Sequence, residues 1–245
     1  MHPWLADKVL RGRCFDCDSR LPIPVARRGP IEHGTVVSCV VASLQIGVAP
    51  LSRIVPVRYT GTDPCIQAKA IAWAAANADI VLCPWSSVDV LRSTVIDHEI
   101  TTAATVGRRS LGTVVVAPVT TDGLEASYPA SNAHTVSVGL ELPVTSSEAT
   151  GKPSADALLP STYFEHIPSV PIFTRQNSVA RRTASRTVRP NGSSCAAALV
   201  AGLIARWLTE ESSLTAASVR RRLSDGVDVS KLLKCPQVQS ESFSV

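Results

Sequence analysis

Two short stretches of the chain hold side chains suited to nucleophilic acyl chemistry. One is Gly192-Ser193-Ser194-Cys195-Ala196, at the mouth of an apolar, alanine-rich run. A serine hydroxyl there is weak by itself and needs a base to take its proton. The other is His33-Gly34-Thr35, which offers an imidazole, the side chain whose ordinary pKa suits that task at neutral pH. At the start of a helix Ser194 would also sit among free N–H groups and the positive end of the helix dipole, which favour developing negative charge. Taken singly, Ser194 is equally a helix cap and His33 a surface or N-cap histidine. The two stretches alone leave both alternatives open.

Chain order narrows the chemistry. Residues 192–196 differ from a G-x-S-x-G nucleophile elbow only at the last position, but that architecture places its His after the Ser. No His follows His166. An order of His, acid, Ser belongs to β-barrels, which the strand–helix alternation described next excludes. On an α/β scaffold the remaining order is acid, His, Ser. A nucleotide-binding α/β domain is disfavoured, because neither G-x-G-x-x-G nor G-x-x-x-x-G-K-[ST] occurs.

The elements that must position these groups follow from hydrophobic periodicity. Residues 1–30, rich in Arg, Pro and Cys, offer no good strand and are expected to be irregular. A helix is expected over 33–47, opened by His33-Gly34-Thr35, with Gly34 allowing close backbone approach beside the imidazole. Then come a strand over 52–61, a helix over 65–78 with Ile66, Ala70, Ile71 and Ala74 on one face, and a buried strand over 79–85. A helix over 88–107 and strands over 112–119 and 134–142 follow, and residues 143–190 look loop-rich with one short strand at 169–174. Helices over 195–210 and 215–223 close the pattern. Strand–helix alternation of this kind implies βαβ units and a parallel sheet covered on both faces.

Composition sets outer bounds. A chain of 245 residues with 45% hydrophobic and 18% charged residues buries a sizeable core. A net charge of +4 is too mild to imply nucleic acid, and no aromatics interleave the basic run at 175–189 (Arg175, Arg181, Arg182, Arg186, Arg189), which is expected to be a solvated loop. The seven cysteines fit buried free thiols better than a disulfide framework. Cys14 and Cys17 form a CxxC, but no second ligand pair follows at zinc spacing. The N-terminus has no apolar leader run, and the longest apolar stretch, Cys195 to Ala205, is shorter than a bilayer span. The sequence as given is therefore expected to be cytoplasmic and without a membrane partner, or to be a piece of something longer.

Six blocks then fall in one familiar order. Residues 33–43, HGTVVSCVVAS, resemble the H-G-T-x-V-A-G-x-I-A segment around the catalytic His of subtilisin-like serine peptidases. Residues 47–59, GVAPLSRIVPVRY, are similar to their G-V-A-P-x-A-x-I-x-x-V-R-V strand, and 70–87 to the helix and strand that lead into their S-W-G substrate-binding segment. GTVVVAPVTTDG with YPASNAHTVSVG resembles V-V-V-A-A-A-G-N-x-G with Y-P-A and the following strand. IPSVPIFT resembles A-P-G-V-x-I-x-S-T, and NGSSCAAALVAGLIA resembles S-G-T-S-M-A-A-P-H-V-A-G-x-x-A. The blocks span residues 33 to about 206.

The resemblance implies a three-layer α/β/α sandwich with a mainly parallel central sheet, occupying residues 31–235 between the irregular 1–30 and a tail at 236–245. It implies a serine endopeptidase acting on protein or peptide, with His33 as general base, Ser194 as nucleophile and Pro84-Trp85-Ser86 as substrate-binding segment. The family acid lies in D-[ST]-G; here the candidate is Asp18 in Asp18-Ser19-Arg20, with Asp16 beside it. Thr121 stands where the family places its oxyanion Asn, a donor whose loss costs about 10²–10³ in rate. Pro84 lacks the backbone donor of the family Ser, Ser86 is bulkier than Gly, and Ala198 and Ser169 replace a Pro and a Gly. No cofactor is implied, and no carboxylate cluster marks a calcium site. Two functions compete: a divergent peptidase, and an inactive module of the same fold that binds extended peptide or protein. The sequence sets no oligomeric state.

Overall fold

Gly112-Thr113 leads into Val114-Val115-Val116-Ala117, a run with no polar position to turn toward water, as in a sheet covered on both faces. The computed structural model describes residues 2–15, 32–59, 61–86, 92–119, 128–141, 157–160, 170–173 and 184–225. In it that run is β4 (Val114–Pro118), buried along its whole length. With β3 (Ile80–Leu82), β5 (Thr135–Glu141) and β6 (Ala157–Pro160) it forms a four-stranded sheet in the order β3-β4-β5-β6, parallel at every pairing. Alternation along β4 sends Val114 and Val116 into one apolar cluster and Val115 and Ala117 into another. The first cluster is completed by α1 (Glu32–Ala42), α4 (Gly192–Glu210) and α5 (Ala216–Ser224), the second by α2 (Pro64–Asn77) and α3 (Thr94–Ser110). The molecule is thus the three-layer α/β/α sandwich that the sequence implies.

Local chemistry fixes the helix ends. Asp63 opens α2: its carboxylate accepts from Cys65 N at 2.8 Å, with Pro64 in the first helical position, where no N–H is needed. In α3 the helical dihedrals break at Gly107, and Arg108, Arg109 and Ser110 take left-handed φ of 48°, 56° and 70°. The Arg108 side chain, 8% exposed, explains how this strained turn is held. Its guanidinium donates to the carbonyls of Gly112 (3.3 Å), Leu214 (3.0 Å) and Ser212 (3.2 Å), tying the end of α3 to the α4–α5 connection.

Helix α4 is longer than the apolar stretch in the sequence suggests, and among the described residues it alone has the length and hydropathy to cross a membrane. Eleven of its residues, from Cys195 to Trp207, are buried, so it serves as the core helix. Its small residues explain how close it comes to its neighbour. A Cβ on Gly202 would lie 2.7 Å from Val48 Cβ and 3.6 Å from the Val41 carbonyl oxygen.

The structure differs from the sequence expectation in the N-terminal stretch, at Cys14 and between 143 and 190. The N-terminal stretch is not wholly irregular: β1 (Arg13–Cys14) pairs in parallel with β2 (Val57–Arg58), and a further parallel bridge joins Val9 to Ile54. Gly12 lets the strands meet here, since a Cβ would sit 1.9 Å from the Pro56 carbonyl oxygen. That glycine, together with Arg11 and Arg13, hid the strand from a hydrophobic pattern. Cys14 is disulfide-bonded, whereas Cys39, Cys65, Cys83 and Cys195 are free, all but Cys65 buried. Between 143 and 190 the described residues hold three strands rather than one. They are β6, β7 (Val170–Phe173) and β8 (Ala184–Val188), the last two antiparallel. Part of the expected basic loop is therefore β8, with Arg186 opposite Ile172.

Candidate active site

The carboxyl ends of parallel strands, where the chain crosses to the next helix, are where open α/β sheets bind ligands. Beyond the end of β3 the chain runs through Cys83, Pro84, Trp85 and Ser86. Cys83 N donates to Val116 O at 2.9 Å and continues the sheet. Trp85 N then donates back to Cys83 O at 2.8 Å, closing a γ-turn with Pro84 at its centre. Proline fixes one backbone dihedral and carries no N–H, so the turn presents the Pro84 carbonyl as its free polar group.

Two side chains meet that carbonyl. Ser194 Oγ donates to Pro84 O at 3.0 Å. His33 Nε2 lies 3.1 Å from the same oxygen. A carbonyl oxygen only accepts and has two lone pairs, so in this arrangement Nε2 carries the ring proton and both lone pairs are engaged. The imidazole and the hydroxyl are thus no further apart than those two distances laid end to end. Packing of α1 against α4 brings them to one place: His33 is the second residue of α1 and Ser194 the third of α4.

The structure separates Ser194 from a capping role. The N-cap of α4 is Asn191, in extended conformation with φ −160° and no side-chain cap bond. Gly192 follows with φ +78°, a conformation that favours glycine. Ser194 lies inside the first turn, half-buried, with its hydroxyl on another segment of the chain. His33 likewise lies within α1 rather than capping it, and is exposed. Among the described residues a Cβ added at Gly34 would meet nothing within 4 Å.

The surroundings are apolar. Trp85 packs against the cluster that holds Ile71, Ile96, Val115 and Tyr128, and its ring meets Tyr59 edge-on, 6.2 Å between centroids at 83°. Burial raises the Tyr59 phenol well above its usual range, with nearby Cys83 adding to the effect. The thiol of Cys83 is pushed up to about 12 by burial. Cys195, next to Ser194, is pushed up to about 11 by burial, opposed by a hydrogen bond from the Asn191 backbone. Both thiols are buried and hold their protons at neutral pH, so neither offers a thiolate beside the turn.

Behind the turn a polar clamp holds the next stretch of chain. Asp97 accepts from Arg92 Nε and Asn132 Nδ2, each at 2.5 Å, and Asn132 Oδ1 accepts from His134 N at 2.8 Å. Tyr128 OH donates to Ser93 O at 3.3 Å. The start of α3 is thereby fixed to the Tyr128–Asn132 turn before β5.

Of the residues singled out in the sequence, His33, Pro84 and Ser194 come together, with Trp85 and Ser86 in the same segment. Asp18, its neighbour Asp16, and Thr121 lie outside the described residues. Three things escaped sequence reasoning: the Pro84 carbonyl, the Asn191 cap and the Asp97 clamp. The Asn191-Gly192 pair is a sequence signal for the cap. A main-chain oxygen has no letter of its own. Among the described residues no three His, Cys, Asp or Glu side chains group to hold a metal ion.

Comparison with known proteins follows the same lines. Residues 27–233 match the family model described as the subtilase family. A cold adapted subtilisin-like serine proteinase is similar with a TM-score of 0.62 and 20% identity, over 91% of this chain and 76% of that chain. The structure of a subtilase cytotoxin, SubAB, gives a TM-score of 0.65 at 20% identity, over 91% and 77%. A protease of Pseudoalteromonas arctica PAMC 21717 gives 0.63 at 18%, over 91% and 78%. At such identities the likeness is one of fold. No curated protein matches by sequence.

Proposed function

This chain belongs to the subtilase family of serine peptidases, whose substrates are proteins or peptides, and we propose that it is an endopeptidase with Ser194 as nucleophile and His33 as base. The observation that carries this reading is the convergence of Ser194 Oγ and His33 Nε2 on one oxygen, from helices distant in sequence. Loss of the ring proton from Nε2 to solvent, with uptake of one at Nδ1, frees the Nε2 lone pair for the hydroxyl. Ser194 Oγ then attacks the peptide carbonyl carbon as Nε2 takes its proton. The C–N bond breaks, the leaving amine takes that proton from His33, and water hydrolyses the acyl-enzyme by the same exchange. Asp18 is assigned to orient the ring through Nδ1, and Thr121 to donate to the oxyanion beside the N–H groups that open α4.

A fluorophosphonate probe tests this. The expected result is covalent modification of Ser194, absent in Ser194→Ala and strongly slowed in His33→Ala. A folded, monodisperse sample that takes up no probe at Ser194 after long incubation overturns the assignment.

One observation favours the second reading, an inactive module that binds peptide. Ser194 Oγ donates to Pro84 O and His33 Nε2 lies against the same oxygen, so the hydroxyl and the imidazole are engaged with the main chain and not with one another. Peptide binding by Ser194→Ala protein without any probe uptake by the parent chain would support that reading.

A further inference from the structure

Resting on the nucleophile reading, we infer that the Pro84 carbonyl is a latch that holds Ser194 and His33 in a non-reactive pose until a substrate N–H takes that oxygen. Three facts converge on it. The Ser194 hydroxyl proton points at Pro84 O, not at the imidazole. His33 Nε2 faces the same oxygen, to which it can only donate, and a protonated neutral nitrogen has no lone pair with which to take a proton. The carbonyl itself is held in place from both sides: Cys83 N is bonded to Val116 O and Trp85 N to Cys83 O, while the proline ring restricts the dihedral between them.

The latch also contains its release. Pro84 O is a group that an extended peptide lying along residues 84–86 would pair with. A peptide N–H that donates to Pro84 O displaces Ser194 and His33 from it. Occupation of the groove and release of the nucleophile are then the same event. Release itself breaks only hydrogen bonds; the freed imidazole then gives its Nε2 proton to solvent and takes one up at Nδ1, and the Ser194 hydroxyl donates to the Nε2 lone pair.

The latch is tested by probe uptake in Pro84→Ser and Pro84→Gly, which restore the N–H and relax the turn. A hydrogen bond of ordinary net strength corresponds to a rate gain of roughly three- to tenfold, with Gly faster than Ser and Ser faster than the parent. Equal or slower uptake by folded variants, with Ser194 still modified in the parent chain, overturns the latch and leaves the nucleophile standing. No uptake by parent or variants overturns the nucleophile reading itself, and the latch with it. Nitrogen-15 NMR of the parent protein examines the contact with no substitution at the turn. The latch requires a neutral His33 with its proton on Nε2, and a ring protonated at Nδ1 instead overturns it even if both variants fail to fold.

Discussion

Gly202 of α4 and Val48, beyond the end of α1, are in direct backbone-to-side-chain contact: a Cβ on Gly202 would lie 2.7 Å from Val48 Cβ and 3.2 Å from Val48 Cγ1. Gly202 thus makes room for the segment that follows α1, the helix whose packing on α4 carries His33 and Ser194 to one site. Alanine gains about 1 kcal/mol over glycine in a helix interior, but overpacking a filled core costs about 1–3 kcal/mol. Neither Val48 Cβ nor the α4 backbone gives way easily, so Gly202→Ala is expected to lower the unfolding midpoint, and Gly202→Val to lower it further. A rise in thermal stability for Gly202→Ala would show that the helices have room to part.

The Arg108 clamp should be strong and its ion pair weak. The guanidinium is nearly enclosed and donates to three carbonyls, while its acidic partner Asp79 is 80% exposed at 3.4 Å. Hydrogen bonds from charged donors contribute about 1.5–3 kcal/mol, and exposed pairs about 0–1 kcal/mol. Arg108→Ala is expected to lose about 2–3 kcal/mol in urea unfolding, and Asp79→Asn less than about 0.5 kcal/mol. Comparable losses would mean that charge, rather than the carbonyl contacts, holds the turn.

Asn132 is 4% exposed and donates to the Asp97 carboxylate. In Asn132→Asp two carboxylates would meet at that contact. Repulsion raises their folded-state pKa, so stability is retained where they are protonated and falls as pH rises through the carboxylate range. Denaturant midpoints at pH 7 should drop by an amount equivalent to about 1–3 kcal/mol, with much of it recovered near pH 4. A loss that does not depend on pH would refute the clamp geometry.

Three buried thiols make the fold sensitive to alkali. Burial pushes Cys39 and Cys83 up to about 12 and Cys195 to about 11, from an ordinary 9.0. Above pH 9 the unfolded chain releases these protons while the folded chain retains them, so stability is full below that point and falls as pH rises toward 11. Each thiol contributes a slope of up to about 1.4 kcal/mol per pH unit. Unfolding midpoints measured between pH 8 and pH 10 should therefore fall, and Cys83→Ala should reduce the slope by about a third. At pH 8 a maleimide should modify the exposed Cys65 and spare these three until the protein unfolds.

Much of the fold was legible because burial imposes periodicity. Val114–Ala117 has no polar position, so it had to be an interior strand. Ile66, Ala70, Ile71 and Ala74 recur at helical spacing, and α2 follows. The segments that escaped lack such a pattern: β1 is only Arg13–Cys14, preceded by Arg11 and Gly12, and β6 is only Ala157–Pro160, four residues ending in proline. The start of α4 was placed three residues late because Gly192-Ser193-Ser194 are helical without being apolar.

The sequence by itself determined which side chains could do chemistry, since HGT at 33–35 and GSS at 192–194 carry their residue types in plain view, and it determined the alternation of strand and helix that carries them. It left open whether the serine caps a helix or faces an imidazole, because local spacing has no information about which distant segment lies opposite. Only the tertiary structure decided that. Small residues let α4 press against α1, and the strand end beneath them turns a main-chain oxygen toward both groups. Main-chain polar atoms are identical at nearly every position, so their direction is set by the fold and not by the letter.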